Sequence, residues 1–306
     1  MSDTLIKLLF PAKSCRAEVL HLDDAWHSMV KNQDLPVCVK HMLGEMTAGA
    51  VMLAASLKFD GALILQLQGD GPVKLALVEV RTGLITRATA QLRVPADSLA
   101  SDLTFKDLVN VNGNGRCAMI LDMAGRAVGE QPYQGVIPLT EDSVAKTIES
   151  YMTQSEQIPT RLWLCATDEA AGGVLLQQVA STGGKESDVE VDPEGMKTLE
   201  MYANTVKPEE LLGLDAKDLA MRLFWEDNPQ ILEELAPSFG CRCSQAGIES
   251  MVKSLGRDEA RSIIEESGKI EVTCEFCGST YVLDGVDVER LFADPAYATN
   301  STPVSH

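Results

Sequence analysis

Four cysteines in two close pairs near the C-terminal end constrain this chain more than any other feature. Cys241 and Cys243 stand in "GCRC", and Cys274 and Cys277 stand in "CEFCG" after thirty intervening residues. Four thiolates in two such pairs supply the tetrahedral ligand set of a zinc ion, with Zn–S distances of about 2.3 Å. The four histidines of the chain all lie far from both pairs in sequence. An all-thiolate zinc site is therefore favoured over mixed ligation.

The spacing within each pair also predicts redox chemistry. Thiolates held by zinc are already deprotonated, so peroxide can oxidise one of them to a sulfenic acid, which its close partner resolves to a disulfide. Cys274 and Cys277 close a small, feasible ring. Cys241 and Cys243, with Cα atoms about 6.5 Å apart when extended, lie near the geometric limit, so their bond should be strained and readily reduced. Because each bond removes two ligands, the sequence predicts reversible, oxidant-driven zinc loss and unfolding.

The excess of acidic residues limits the classes of partner. The chain has 306 residues, of which 26 are basic and 45 acidic, and its formal charge is −19. Nucleic acid and anionic membranes both require a positive surface, so neither is an expected partner. The first residues lack the features of a secretory signal. We therefore expect a cytoplasmic protein, in which eight cysteines indicate metal or redox chemistry rather than structural disulfides.

Residues 1–183 combine strand and helix patterns without a repeated strand–helix–strand order. This predicts an α+β fold with a mainly antiparallel sheet and packed helices. Two apolar runs joined by "QGDGP" predict a hairpin, and "DLVNVNGNGRCAMILDM" predicts a second hairpin of the same sheet, as in a weak internal duplication. Further along, "EDSVAKTIESYMTQ" predicts a helix capped by acidic residues, followed by a strand that starts near Thr160.

The most apolar long segment covers residues 35–59. Lys40, His41 and Glu45 interrupt it, so it predicts a buried amphipathic helix that ends near Phe59 rather than a membrane span.

Residues 184–240 differ from the rest in composition, with five basic and 14 acidic residues. Helical segments are predicted around "EGMKTLEMYANTV", "KPEELLGLDAKDLAMRLFWED" and "PQILEELA". Leu219, Leu223 and Phe224 fall on one helical face, and we expect Phe224 and Trp225 to dock on the N-terminal sheet. The segment has too few apolar residues for a core of its own. It is interpreted as a metastable helical linker.

Residues 241–292 form a compact unit around the cysteine pairs. Two short helices should end at Gly256 and Gly268, and two strands should flank the C-x-x-C turn as a zinc-knuckle hairpin. A unit of about 50 residues needs its metal in order to fold. Residues 293–306 have no periodicity, which predicts a disordered tail.

The remaining candidate sites favour structural roles. Cys15, Cys38, Cys117 and Cys165 stand among apolar residues and are interpreted as buried small hydrophobes. The Gly-x-Gly turns are not followed by Lys-Ser/Thr, so hairpin turns are favoured over phosphate loops and no nucleotide is expected. Ser155–Gln157 has no histidine nearby in sequence, which favours hydrogen bonding at a helix–strand junction over a catalytic cluster. We expect no enzymatic activity.

Three functional classes follow from these observations: a redox-controlled binding protein, a thiol-disulfide oxidoreductase, and a constitutive zinc-stapled interaction protein. An oxidoreductase requires its C-x-x-C at the start of a helix, whereas Cys277 is followed by a glycine and a predicted strand. This makes the oxidoreductase the weaker alternative.

Four stretches together resemble a known family: "LKFDGALILQLQGDGPVKLALVEV", "YMTQSEQIPT", "GGVLLQQ", and the C-x-C plus C-x-x-C pattern. On these motifs, residues 5–292 resemble the redox-regulated 33-kDa heat-shock chaperones, a family of bacterial holdases. The resemblance implies an N-terminal core for client binding and dimerisation, a linker and a zinc domain.

The resemblance also implies a mechanism. The reduced form, with one zinc ion per chain on Cys241, Cys243, Cys274 and Cys277, would be largely inactive. Oxidation would form the disulfides Cys241–Cys243 and Cys274–Cys277, release zinc and unfold the zinc domain and the linker. The oxidised homodimer would then bind unfolding client proteins without ATP.

Overall fold

The structure, a computed structural model, divides into two compact units, Met1–Gly240 and Cys241–His306. The described residues are 2–57, 60–127, 129–179 and 192–293. Residue 293 ends a helix, and the rest of the predicted disordered tail lies outside the described residues. Residues 184–191 of the predicted linker lie outside them as well.

Helices and strands are mixed along the first unit. The strands are β1 Thr4–Phe10, β2 Cys15–Leu22, β3 Gly61–Gln68, β4 Val73–Arg81, β5 Ile85–Leu92, β6 Arg116–Met123, β7 Tyr133–Pro138, β8 Thr160–Ala166, β9 Ala171–Gln178, β10 Gln230–Leu235 and β11 Ser238–Phe239. The helices are α1 Asp24–Val30, α2 Val37–Ser56, α3 Phe105–Val109, α4 Val144–Tyr151, α5 Gly195–Ala203, α6 Pro208–Gly213 and α7 Ala216–Phe224.

The strands of the first unit form two sheets. A five-stranded sheet has the order β10-β1-β2-β9-β8, and a six-stranded sheet has the order β11-β5-β4-β3-β6-β7. Neighbouring strands are antiparallel except for β11, which pairs in parallel with β5 over two residues. The predicted α+β class with mainly antiparallel pairing is confirmed, as is the β3–β4 hairpin. The expectation of a single sheet is wrong.

Helix α2 lies at the centre of the first unit and contacts strands of both sheets. It is the one described helix that is long and apolar enough to span a membrane, but 78% of its most apolar stretch is buried. Residues Met46–Ala54 are all buried, so the C-terminal half of the helix is enclosed on all sides and is not amphipathic as predicted. A Cβ on Gly49 would lie 2.6 Å from Ile148 Cδ1, which shows how closely α4 packs against α2.

Helices α5, α6 and α7 pack on the outer face of the five-stranded sheet and form a second core with it. Leu219, Leu223 and Phe224 are buried there, as their predicted shared face requires. The Phe224 ring meets the Phe10 ring of β1 edge-to-face, with centroids 5.4 Å apart. Trp225 is 64% exposed, so its predicted docking on the sheet is wrong.

The predicted second hairpin is wrong. The first three residues of its first half, "DLVNV", belong to helix α3, which begins with a capping box between Thr104 and Asp107. Strand β6 pairs instead with β3 and β7. A reciprocal cap at the fourth position fixes the helical turn locally, and this outweighs the resemblance to a strand–turn–strand pattern.

Two further predictions fail at element ends and in the linker. Helix α4 is capped by Ser143, whose hydroxyl accepts from the Lys146 amide, rather than by acidic residues. The segment "PQILEELA" is not a helix; it forms strand β10, which pairs with β1. Pairing with the buried strand β1 outweighs the helical preference of these residues.

The second unit is small. It contains α8 Gln245–Leu255, α9 Arg257–Ser267, β12 Ile270–Thr273, β13 Thr280–Leu283 and α10 Gly285–Ala293. The two predicted helices end at Gly256 and Gly268, and β12 and β13 form the predicted hairpin. Helix α10 is an addition that the sequence analysis missed. Among residues 241–293, the described part of the unit, six buried apolar side chains form its core: Val252, Ala260, Ile270, Leu283, Val288 and Leu291.

Candidate metal centre

The C-x-x-C pair sits on the turn that joins β12 to β13. The Gly278 amide donates to the Cys274 carbonyl at 2.8 Å, and the Cys274 amide donates to the Ser279 carbonyl at 2.9 Å. Gly278 has a φ of 69°, in the left-handed region that glycine adopts without strain. These bonds close the turn tightly, so Cys274 and Cys277 project from the same end of the hairpin.

The C-x-C pair lies in a stretch without regular secondary structure just before α8. The helix begins immediately after it, because the Ser244 hydroxyl accepts from the Gly247 amide at 3.1 Å. The N-cap therefore fixes the direction in which the chain leaves Cys243, and Cys241 and Cys243 are held next to the hairpin turn of the same unit.

All four sulfurs meet in one cluster, and each Sγ lies within 4.8 Å of the others. The Sγ–Sγ distances are 3.4 Å for Cys241–Cys243, 3.6 Å for Cys241–Cys274 and 3.3 Å for Cys243–Cys277. A tetrahedron with Zn–S distances of about 2.3 Å has edges of about 3.8 Å. The cluster is close to that size, so its donor set and its dimensions both fit a zinc ion.

Two hydroxyl groups surround the sulfurs. The Tyr281 hydroxyl donates to Cys243 Sγ at 3.2 Å, and Ser279 Oγ lies 3.2 Å from Cys277 Sγ. Sequence analysis did not single out either residue. Their only sequence signal is their position, two and four residues after Cys277, where the chain leaves the turn and enters β13. Hydroxyls in such places orient the ligands of a metal and tune their basicity.

The thiols of the cluster do not ionise alike. Desolvation raises the pKa of Cys277, but hydrogen bonds from the hydroxyl and amide of Ser279 outweigh it and bring the pKa down to about 7. The Tyr281 hydroxyl lowers the pKa of Cys243, yet desolvation and the neighbouring thiols raise it to about 12. Four thiolates at this spacing therefore need a cation between them.

The four other cysteines lie in the first unit. Cys15, Cys38 and Cys117 are buried, as predicted, whereas Cys165 is only half-buried. Burial raises the pKa of Cys15 to about 11 and that of Cys117 to about 12. Thiols held protonated in this way are unreactive.

The other sequence candidates have structural roles. Glu156 Oε1 accepts from the hydroxyls of Tyr133 at 3.0 Å and Tyr151 at 3.3 Å, at the predicted helix–strand junction. Gly69 lies in the turn between β3 and β4, where its amide donates to the Lys74 carbonyl at 3.1 Å.

Comparisons with known proteins agree with this architecture. A family model described as Hsp33 protein matches residues 3–284. The 33 kDa chaperonin of Methylobacillus flagellatus is 38% identical over 95% of both chains, and that of Chromobacterium violaceum is 38% identical over 95% of this chain and 94% of the relative. The crystal structure of a 33 kDa chaperonin from Thermotoga maritima is 19% identical, covers 96% of this chain and 98% of that chain, and has a TM-score of 0.74, so it shares the fold. The chain is therefore a chaperone of the Hsp33 family.

Proposed function

We propose that this chain is a redox-regulated, ATP-independent holdase that is silent when reduced and zinc-bound and active when oxidised. The observation that carries the proposal is the cluster of four sulfurs, in which the two cysteines of the C-x-C pair lie 3.4 Å apart. One arrangement thereby offers a complete metal ligand set and a neighbour for each thiol that becomes oxidised.

Cys241, Cys243, Cys274 and Cys277 would hold one zinc ion per chain. When bound, the ion keeps all four sulfurs as thiolates and joins the hairpin to the start of α8. The six buried apolar side chains among the described residues of the second unit are few for a domain of this size. Its folding therefore depends on metal binding, which is worth roughly 10–16 kcal/mol at structural zinc sites.

Oxidation would convert the sulfurs pairwise into disulfides, Cys241–Cys243 and Cys274–Cys277. In each pair two thiolates would give up two electrons and join as a disulfide, and one hydrogen peroxide molecule, with two protons from solvent, would be reduced to two molecules of water. Two equivalents of peroxide thus consume all four ligands. The second unit then has neither its metal site nor a core sufficient to remain folded.

The client-binding surface would come from the first unit. Helices α5, α6 and α7 cover an apolar sheet face that includes Ile6, Leu8 and Phe10. Release of these helices uncovers that face and leaves an adaptable linker, and large apolar surfaces of this kind bind other proteins. The oxidised form would act as a homodimer, in the cytoplasm, on unfolding proteins.

Treating the full-length, zinc-loaded protein with hydrogen peroxide at mild heat tests this function. Zinc release is followed with a chromogenic chelator, and chaperone activity is followed by the light scattering of heat-denatured citrate synthase, with no ATP present. We expect the release of one zinc ion per chain together with suppressed scattering, and reversal of both after reduction in the presence of zinc.

Two cysteine variants provide a matched comparison. Cys165→Ser, which lies outside the cluster, should behave as the wild type, whereas Cys277→Ser should bind zinc weakly and no longer require oxidant for activity. Zinc release without suppressed scattering would contradict the holdase. Turnover of a disulfide substrate would instead support a thiol-disulfide oxidoreductase. Retention of zinc in the presence of peroxide would support an interaction protein with a permanent, purely structural zinc site.

A further inference from the structure

Strand β10 is weakly held at the edge of the five-stranded sheet. It pairs with β1 from Leu5 opposite Leu235 to Leu9 opposite Gln230, and the register shifts between Lys7 and Leu8. Only Leu235 packs against a core; Ile231 and Leu232 are 50% and 51% exposed. The attachment therefore rests mainly on backbone pairing and on the Lys7–Glu233 ion pair at 2.7 Å.

The residues of β10 prefer a different structure from the one they adopt. Gln, Leu and Glu are good helix formers, and the apolar residues Ile231, Leu232 and Leu235 have the i, i+1, i+4 spacing of a helix face. The strand exists because β1 offers it a partner. Once separated from β1, the segment has no local preference for returning to an extended conformation.

Strand β1, in contrast, is a permanent part of the fold. Its side chains alternate between the two cores, with Leu5 in the first and Ile6, Leu8 and Phe10 in the second. Strand β2 pairs with it along its whole length on the other side. Without β10, this buried strand would present a row of unpaired N–H and C=O groups along one edge.

A hollow lies beside the end of β10. It has a volume of about 230 Å³, and its walls include Ala55 and Leu57 at the end of α2, Leu84, and Leu235 of β10 itself. A strand that replaced β10 on β1 could place a large apolar side chain in this hollow, at the position opposite Leu5. Backbone pairing supplies affinity in such complexes, and pockets for single side chains add selectivity.

We propose that the edge of β1 exposed by the departure of β10 is a client-binding site, at which an extended apolar segment of an unfolded protein adds as an antiparallel strand. The proposal rests on the oxidative activation described above. Recognition through the backbone suits a protein with many unrelated clients, because every chain carries the same N–H and C=O groups. The link to the redox state is covalent, since only residues 236–240, including the two-residue strand β11, separate β10 from Cys241.

Amide hydrogen exchange of β1 in the wild-type protein tests the site. The probe client is reduced, carboxymethylated α-lactalbumin, which stays unfolded and has no thiols to exchange. We expect the amides of residues 5–9 that face β10 to exchange slowly in the reduced protein and at least about 100-fold faster after oxidation. Adding the client should then restore most of their protection.

Two variants of Ile231 distinguish the effect of the backbone pairing of β10 from the effect of the side chain. Ile231→Pro removes an amide and bends the chain, so it should free the edge of β1 and allow the reduced, zinc-loaded protein to bind the client. Ile231→Ala removes the same side chain but keeps the amide, so it should behave as the wild type. Zinc stoichiometry confirms that both variants remain folded in the second unit.

The outcomes distinguish this site from the proposed function. Suppose that the oxidised wild type suppresses aggregation, but its β1 amides stay protected after oxidation or remain unprotected when the client is added. The proposed client-binding site is then wrong, whereas the proposed holdase function is retained. Protection that rises with protein concentration and without client would assign the edge to a second copy of the chain, which also overturns the proposal. If oxidation produces no suppression at all, the proposed function itself fails.

Discussion

Truncation of Phe224 should separate linker docking from zinc binding. Phe224 ends helix α7 within the first unit, is completely buried, and packs edge-to-face against Phe10 of β1. Trp225, the next residue, is 64% exposed. The chain therefore offers two adjacent large aromatic residues, of which only one carries the docking of α5, α6 and α7 on the sheet.

The expected magnitude follows from burial. A buried Phe→Ala change costs about 3–5 kcal/mol, which includes about 0.5–1.5 kcal/mol for the aromatic pair. Because 1.4 kcal/mol is a factor of ten in an equilibrium constant, the undocked population of the linker helices should rise at least about 100-fold in Phe224→Ala. For Trp225→Ala we expect a change within about 0.5 kcal/mol.

The assay is hydrogen exchange of the α5–α7 amides in the reduced, zinc-loaded protein, together with zinc stoichiometry and client light scattering. Phe224→Ala should exchange faster in these helices, keep its zinc and suppress aggregation at a lower peroxide concentration than the wild type. Trp225→Ala serves as the control. Equal exchange rates in the two variants would refute the reasoning that Phe224 anchors the linker.

Three further outcomes follow from single groups. Tyr281→Phe removes the hydroxyl that donates to Cys243 Sγ, so zinc affinity in a chelator competition should fall about 10-fold. Tyr133→Phe removes a hydroxyl that bonds to Glu156, outside the cysteine cluster, so it should leave the zinc affinity unchanged. Desolvation raises the pKa of buried Glu18 to about 7, above its unfolded value of 4.5; the folded state therefore binds the extra proton, and stability falls as pH rises from about 4.5 to 7. Glu18→Gln should remove this part of the slope, on the order of 3 kcal/mol in urea unfolding between pH 5 and pH 8, and an unchanged slope would contradict the assignment. Removal of zinc by a chelator under reducing conditions should abolish the far-UV circular dichroism of α8, α9 and α10, and a second unit that remained helical would show that its apolar core suffices.

The candidate site could be predicted from sequence because its information is local. Two close cysteine pairs and a glycine after the second pair specify ligand type, number and turn geometry within a few residues. Tyr281 was missed because its role depends on which face of β13 meets the C-x-C segment. That placement follows from packing within the second unit, which the sequence of the hairpin alone does not contain.

The fold class could be predicted for a similar reason. The predictions that failed concern elements whose structure depends on contacts with residues far away in the sequence. The β3–β4 hairpin is coded by its turn and its two apolar runs. Strand β10 is not, since its partner β1 lies more than 200 residues earlier in the chain. Helix α2 was misread as amphipathic because periodicity cannot reveal that two sheets enclose it.

The residues of β10 prefer a helix but form a strand, and this difference also affects how clients would be released. When a client strand replaces β10 beside β1, backbone hydrogen bonds of one kind are exchanged for others of the same kind. The replacement therefore costs little hydrogen-bond energy. The difference in free energy between the client-bound and the client-free form then depends on how stable the released β10 segment is. Its preference for a helix stabilises the released segment. When α7 docks again on the sheet, only residues 225–229 separate it from β10, and a short tether of this kind gives an effective concentration in the millimolar range. A client segment that binds the edge more weakly than this is displaced, so reduction and zinc rebinding should release clients without ATP.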